Sequence, residues 1–414
     1  MNRSYFNGLI TGLVAGGIIS FGLVSISGRL ADTSDIAVKP QDAKEQVQPE
    51  KLLESNGFKT KYNNIIAQIN KSFLNEKDVN SENIADGMYQ GIIDSLGDKY
   101  ADYYTAKEYS DYVEQFQGQY GGIGAYVAKN SETGDIVIVN PFDDAPAAKA
   151  GMKAGDILIE IGGESVAGKS LDDAVTLMKG EAGTSIHVKI LRDKKEIEMD
   201  VVREVIDVPT VSHTMLKDED IGYIYVSAFD DITVTQFNDA IKDLEKKNAK
   251  GLIIDIRDNG GGRLDTVVAM LNRILSEGMI MYTETRYGMD EKFEADSKES
   301  YDKPIVVMIN QYSASASEVF AGALKDHKRA TLVGTRSYGK GVVQTLYPLT
   351  AAGDGSAIKI TTAKYFTPSG NNIDGIGITP DVEIEYDKDK SVRVGKETRD
   401  NQLQKAIEVM KEKI

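Results

Sequence analysis

The chain has 414 residues, with 48 Lys+Arg against 64 Asp+Glu and a net charge of −16; at roughly 150 residues per domain this is room for about three domains. The acidic balance argues against a nucleic-acid binder, which needs an excess of Lys/Arg to displace counterions from phosphates. There is no cysteine, and the histidines are His187, His213 and His327. Disulfides, thiolate zinc sites, a cysteine nucleophile and a multi-histidine metal cluster are therefore excluded. Any catalysis has to run on hydroxyls, carboxylates, lysines and backbone amides, with no metal or cofactor called for.

Between Arg3 and Arg29 run 25 residues without a charge. As a helix they would extend about 37 Å, enough for a hydrocarbon core of about 30 Å. A cleaved signal peptide is the competing reading, but Ser27-Gly28-Arg29-Leu30-Ala31-Asp32-Thr33 is a poor match to an A-x-A-like cleavage site. Residues 1–30 are read as a single-pass membrane anchor, and either reading puts the bulk of the chain outside the cytoplasm. Residues 31–50, polar and carrying Pro40 and Pro49, read as a tether.

Residues 51–117 form a helical region. Phe58, Tyr62, Ile65, Ile66 and Ile69 recur at helical spacing, as do Ile84, Met88, Ile92, Ile93 and Leu96 before the stop at Gly97. This is either a helical layer on the next domain or an arm for dimerisation. Residues 118–204 change character: a Gly-rich entry, the strand around Ile136–Val139, a short helix and strand in DDAPAAKAGMKAGDILIEIGG, an amphipathic helix in SLDDAVTLMKGEAG and a hairpin in TSIHVKILRDKKEIEMDVVRE. Over 205–385, buried apolar strands (GLIIDI, PIVVMIN, ATLVG) alternate with helices, which argues for an α/β layered core. Within 386–414, a charged segment precedes a helical stripe from Gln402 to Ile414, suited to docking on the body or on a partner chain.

Three loops could carry chemistry. Gly260-Gly261-Gly262 follows a buried strand and precedes a helix, so its amides can approach an anion or oxyanion; an ordinary tight turn is the alternative. In Ser313-Ala314-Ser315-Ala316-Ser317-Glu318, Ser315 and Glu318 fit a capping box, and a serine at a helix start also has a neighbouring amide for an oxyanion. Gly334-x4-Gly339-Lys340 nearly spells a phosphate loop, but Gly341 stands where Ser or Thr should bind Mg²⁺, and a strand-like VVQTL follows. Ser337-x-x-Lys340 matches S-x-x-K, yet Gly339 and Gly341 argue against the helix that motif needs.

The order of residues 118–204 resembles a PDZ domain, with Gly122-Ile123-Gly124-Ala125 in the place of the carboxylate-binding loop. The companion signature is present as Pro146-Ala147-Ala148-Lys149-Ala150-Gly151 and Gly155-Asp156-Ile157. Such a loop captures a peptide C-terminus, and the strand beyond it adds the peptide by β-augmentation. The joint set of PDZ module, DIRDNGGG, SASASE and YGKGVVQ closely resembles the carboxyl-terminal processing (tail-specific) serine proteases. YFTPSG and GIGITPD extend the match, which covers about residues 55–414.

By that resemblance Ser315 is the nucleophile, Lys340 the general base and Gln344 its orienting residue. The amides of Ala316 and Gly261 form the oxyanion hole. The implied fold is α/β multidomain: N-terminal membrane helix, helical arm, PDZ domain inserted before an α/β serine-protease core, and C-terminal helix. Lys340 and Gln344, four apart on a strand, would share a face. Lys340 must be neutral to accept a proton, so its pKa has to fall from about 10.4 by burial. The resemblance also implies protein substrates bound by their C-terminal tails along Gly122, Ile123, Gly124, Ala125 and Tyr126, with apolar residues of the helix Ala174 to Met178 lining the pocket. It implies gating by the PDZ domain, dimerising helical arms and no cofactor. Lys179 stands where family members carry a peptide-sensing arginine; lysine lacks arginine's planar fork. The competing function is a PDZ scaffold with an inert protease-like domain.

Overall fold

The computed structural model describes residues 23–25, 49–75, 77, 79–216, 219–297, 300–387 and 400–414. The tether except for Pro49 and Glu50, which begin the helix Pro49–Glu54, and most of the charged segment at 386–400 lie outside the described residues, and so does the 1–30 anchor except for Leu23–Ser25. Those three residues were expected to be helical. Instead their backbone pairs in parallel with Val343, Gln344 and Thr345, because an open strand edge offers the same backbone partners a helix would supply internally. Among the described residues no helix is long and apolar enough to cross a membrane.

The strands Gly251–Asp255 and Ile305–Ile309 are buried at every position, the pattern of a parallel sheet covered on both faces. They are the middle of a sheet ordered Val211–Met215, Ile221–Val226, Gly251–Asp255, Ile305–Ile309, Ala330–Gly334 and Val382–Glu383, antiparallel only at its first pair. Alternation sends Leu252, Ile254 and Val307 into the core shared with Phe237, Met270 and Phe320 of the helices Thr233–Lys246, Leu264–Asn272 and Ala316–Asp326. Ile253, Val306 and Met308 face the opposite way and meet Leu403, Ala406 and Met410 of the helix Asn401–Lys411. The C-terminal stripe therefore docks on the chain's own body. Its start is pinned by the buried guanidinium of Arg257, which bonds Asp255, Asp400 and Gln402.

A second sheet runs Leu23–Ser25, Val342–Pro348, Ala357–Phe366, Gly278–Thr285 and Gly288–Ala295, parallel only at its first pair, with Asp102–Tyr104 added antiparallel to Ala357–Phe366. That short strand breaks the helical reading of 51–117. Its three residues carry no local periodicity, and it exists by pairing Tyr103 with Ile358 far along the chain. The arm otherwise consists of Pro49–Glu54, Asn56–Ser72, Ser81–Asp94 and Ala106–Gln117. Asn56–Ser72 buries none of its residues, and Tyr62 and Ile65 stand exposed.

The inserted unit is one antiparallel sheet of Ala125–Lys129, Ile136–Pro141, Ile157–Ile161, Ser185–Arg192 and Lys195–Val202. Its core joins Ile138, Leu158, Ile161, Val188 and Ile190 to Ala174 and Met178 of the helix Leu171–Met178. A ribbon of Gln119–Gly122 paired with Glu204–Asp207 brings its entry and exit together.

Candidate active site

Two strand-to-helix loops meet at the end of the parallel sheet. The 256–262 loop and the 310–317 loop are stitched by hydroxyls and amides: Ser313 Oγ donates to the Ile256 carbonyl at 2.8 Å, Ser317 Oγ to the Asn259 carbonyl at 2.8 Å, and the Ala314 N–H to that same carbonyl at 3.0 Å. Two of the three serines in SASAS are thus committed to backbone. Ser315 lies between them, buried, with φ 58° and ψ −112°. A non-glycine residue there costs of order 1–3 kcal/mol and persists only where its surroundings enforce it. The backbone bends so that the serine sits at the mouth of the helix Ala316–Asp326, a strained strand-to-helix turn of the kind that presents nucleophiles.

Glu318, one turn into that helix, supplies the enforcement. Its Oε2 accepts the Ser315 N–H at 2.9 Å and the Lys340 N–H at 2.8 Å, while Oε1 accepts Gly339 N–H at 2.7 Å and Ser337 Oγ–H at 2.6 Å. The capping box read from sequence is one part of this arrangement, which also reaches the Lys340 loop; the Glu318 amide donates to the Ser315 carbonyl at 2.8 Å. Burial raises the Glu318 pKa, against the pull of its four donors. The loop carrying Lys340 is clamped from its other side by GIGITP: the Ile378 N–H donates to Ser337 Oγ, the Ser337 N–H to the Ile378 carbonyl and the Gly375 N–H to the Gly339 carbonyl.

Lys340 is 2% exposed. Its pKa is pushed down to about 7, chiefly by burial and then by repulsion from Lys359 and Lys99, with Asp98 and Glu318 pulling the other way. The neutral amine expected of a general base is therefore available near neutrality. Lys340 itself precedes the strand, which begins at Val342, and the register is irregular between Val343 and Gln344. The shared-face argument for Lys340 and Gln344 therefore does not hold as drawn: the two glycines flanking the lysine keep it in the loop. Gln344 is fully buried and reaches Thr361, its Nε2 donating to Thr361 Oγ1 at 3.0 Å, while its Oε1 has no hydrogen-bond partner among the described residues.

Ala316 is the first residue of its helix, so its N–H has no intrahelical acceptor. Gly261 lies against it: at φ +113°, a Cβ on Gly261 would stand 3.0 Å from Ser315 Cβ and 3.1 Å from Ala316 N. Only glycine fits. The Gly261 N–H, however, donates to Asn259 Oδ1 at 2.9 Å. The expectation that this amide faces an oxyanion is corrected to that extent: the side chain of the preceding loop residue holds it, and it must be released or shared.

The inserted unit presents a groove of about 490 Å³. Ile123, Ala125, Tyr126 and Val127 line it from the Gly-rich loop and strand, and Val175, Met178 and Lys179 from the helix. Ala174, expected in this pocket, instead faces the unit's own core. Gly124 has φ 72°, and a Cβ there would clash with Ala145. The groove's remaining walls come from elsewhere: Asp111, Glu114 and Gln115 of the helix Ala106–Gln117, and Val208, Ala228 and Asp230 of the core. Lys179 crosses to Glu114 at 2.6 Å and lies over the Tyr120 ring.

The Peptidase family S41 profile matches residues 220–384 and a PDZ domain profile residues 137–192. The carboxy-terminal-processing protease of Bartonella bacilliformis is 39% identical over 342 residues, covering 80% of this chain and 76% of its own. The chain belongs to the carboxy-terminal-processing protease family. Carboxy-terminal processing protease CtpA of Bacillus subtilis is 36% identical over 327 residues, covering 78% of this chain and 68% of its own. The structure of a Bacteroides fragilis chain described as an S41 protease shares the fold, at TM-score 0.52 and 13% identity, over 84% of this chain and 97% of that one.

Membership of this family makes the chain a serine-type peptidase with protein substrates and a PDZ domain, and it sets aside the phosphate-loop alternative. Sequence reading missed Asp98 and Tyr100 beside Lys340, and Thr361 beside Gln344. They lie on segments far from the site's own motifs, and no local pattern marks them. Glu318 was visible, three residues after Ser315, but as a cap alone.

Proposed function

We propose that this protease hydrolyses peptide bonds with a Ser315–Lys340 dyad. The observation that carries the reading is the single Glu318 oxygen that accepts both backbone amides, Ser315's at 2.9 Å and Lys340's at 2.8 Å. The neutral Lys340 amine takes the Ser315 hydroxyl proton as Oγ bonds to the substrate carbonyl carbon. The carbonyl oxygen becomes an oxyanion facing the Ala316 amide, with Gly261 as the second donor once Asn259 shares it. The Lys340 ammonium then gives its proton to the departing amine, leaving an acyl-serine. Water, deprotonated by the same amine, resolves it to a carboxylic acid and free serine. Gln344 Oε1, buried without a partner among the described residues, supplies an acceptor that orients the ammonium.

The PDZ groove would take an apolar C-terminal tail along Gly122 to Tyr126, and Lys179 would report its arrival through Glu114. Three further features complete the reading: export, tethering by the uncharged N-terminal run, and self-association through the exposed face of Asn56–Ser72. Membrane extraction with carbonate and sedimentation of the purified chain test these.

The dyad is tested in the purified chain with an internally quenched peptide and a fluorophosphonate probe. Ser315→Ala and Lys340→Ala are each expected to abolish cleavage, and Ser315→Ala to abolish labelling. Full activity in either variant refutes the dyad; an unlabelled, inactive wild type favours a scaffold that binds tails without cutting them.

A further inference from the structure

The amine of Lys340 is covered by a segment from outside the matched peptidase span. Residues 98–100 form the turn between Ser81–Asp94 and Asp102–Tyr104, upstream of the PDZ domain. Yet Lys340 Nζ lies 4.2 Å from the centre of the Tyr100 ring. Asp98 is fixed at both oxygens: Oδ1 accepts the Tyr100 N–H at 3.0 Å and Oδ2 the Thr361 N–H at 3.1 Å. The hydroxyl of Thr361 in turn accepts from Gln344 Nε2 at 3.0 Å. One turn thus touches both the candidate base and, through Thr361, the residue that would orient it. The turn is itself held in place, since Tyr103 OH donates to Asp86 at 2.9 Å and Asp102–Tyr104 pairs with Ala357–Lys359 on the strand that carries Thr361.

Resting on the dyad reading above, we propose that Asp98 and Tyr100 are positioning residues of the reaction. The Tyr100 ring keeps water from the Lys340 amine, and the Asp98 carboxylate fixes the Thr361–Gln344 pair against it.

An aromatic face over an amine acts in two directions. Its quadrupole attracts the ammonium, whereas exclusion of water disfavours the charged form. Burial is the largest influence on Lys340 and lowers it; the ring, 4.2 Å from the amine, is expected to act through water exclusion more than through attraction. The charged groups facing the amine are Lys99 and Asp98 from the turn, Lys359 from the neighbouring strand and Glu318 from the helix. Lys99 and Lys359 disfavour the ammonium; Asp98 and Glu318 favour it. Tyr100 itself stays neutral, its phenol raised by burial. Opening the cover and neutralising the carboxylate should therefore move the lysine in opposite directions.

The experiment is the pH profile of kcat/KM for an internally quenched peptide, measured on the full chain, with fluorophosphonate labelling rate as a second readout that needs no peptide binding. Tyr100→Ala is expected to raise the acid limb by at least about one pH unit, because the amine regains water. Tyr100→Phe keeps the ring and should hold the limb within about 0.3 units of wild type. Asp98→Asn, nearly isosteric, should lower the limb. A Tyr100→Ala enzyme that loses the same factor at every pH, with the limb unmoved, overturns the proposal, because a merely structural role predicts that result. Should Tyr100→Ala not fold, Asp98→Asn decides: a lowered limb supports the proposal and an unmoved limb overturns it. Lys340→Ala, run alongside, separates the two readings: full activity there sinks the dyad, whereas an inactive Lys340→Ala with unmoved limbs sinks the positioning roles alone.

Discussion

Glu318 and Lys340 are joined through backbone: the Lys340 N–H donates to Glu318 Oε2 at 2.8 Å, and that oxygen also receives the Ser315 N–H. The carboxylate therefore works as a bracket between two loops that are distant in sequence. Truncating it leaves four buried donors unsatisfied, each worth about 1–3 kcal/mol when orphaned. Glu318→Ala is expected to lower the melting temperature markedly and cut kcat/KM by about 100-fold or more. Glu318→Gln keeps one acceptor oxygen but turns an NH₂ group towards donors, and should lie between. Thermal unfolding together with fluorophosphonate labelling checks both, and a Glu318→Ala enzyme with wild-type melting and activity would contradict the bracket.

The pH dependence follows from Lys340. With its pKa near 7, kcat/KM should fall about tenfold per pH unit below that value and level off above it. Stability moves in the same direction. The lysine is charged in the unfolded chain up to about pH 10.4 but in the folded chain only below about 7. Between those values the folded state binds fewer protons, so stability rises with pH across this window, and below it the full cost of burying the ammonium stands. Lys340→Met should therefore raise the melting temperature most at pH 6 and least near pH 10. An equal gain at both would show that the amine is not desolvated as described.

Ser315 at φ 58° should be a stability liability independent of chemistry. Ser315→Ala keeps the strain, whereas Ser315→Gly removes about 1–3 kcal/mol of it, less up to about 1 kcal/mol of glycine entropy. Both variants are expected to be inactive, with the glycine variant melting higher. Chemical denaturation of the two side by side is the check; a more stable alanine variant would mean that the turn is relaxed.

The Lys179–Glu114 pair, about one-third exposed on both sides, should contribute little to stability. Its expected effect is on coupling between groove and core. Lys179→Glu should change the stimulation of cleavage by an added apolar-tailed peptide by about threefold or more, and Glu114→Lys in the same chain should restore it. Additive effects in this cycle, read from peptide titrations of the cleavage rate, would remove Lys179 from any sensing role.

Sequence made the core legible where pattern is local. The largely apolar runs GLIIDI and PIVVMIN read as strands covered on both faces, and glycines marked the turns that need them. SASAS could be narrowed to Ser315 by resemblance; its independent reason, that Ser313 and Ser317 are tied to the carbonyls of Ile256 and Asn259, needed coordinates. What stayed hidden was non-local. Asp102–Tyr104 becomes a strand through its partner at Ala357–Lys359, and the Asn259 side chain on the Gly261 amide reflects a turn whose curl no spacing reveals. The hairpin Gly278–Thr285 with Gly288–Ala295 escaped because its second strand, DEKFE, is polar and largely exposed.

The groove of the inserted unit borrows lining from the arm helix through Asp111, Glu114 and Gln115, and from the core through Val208, Ala228 and Asp230. An excised module spanning only 118–204 would consequently be an incomplete receptor. Affinities for C-terminal peptides measured on such a fragment would describe a different cleft from that of the intact chain.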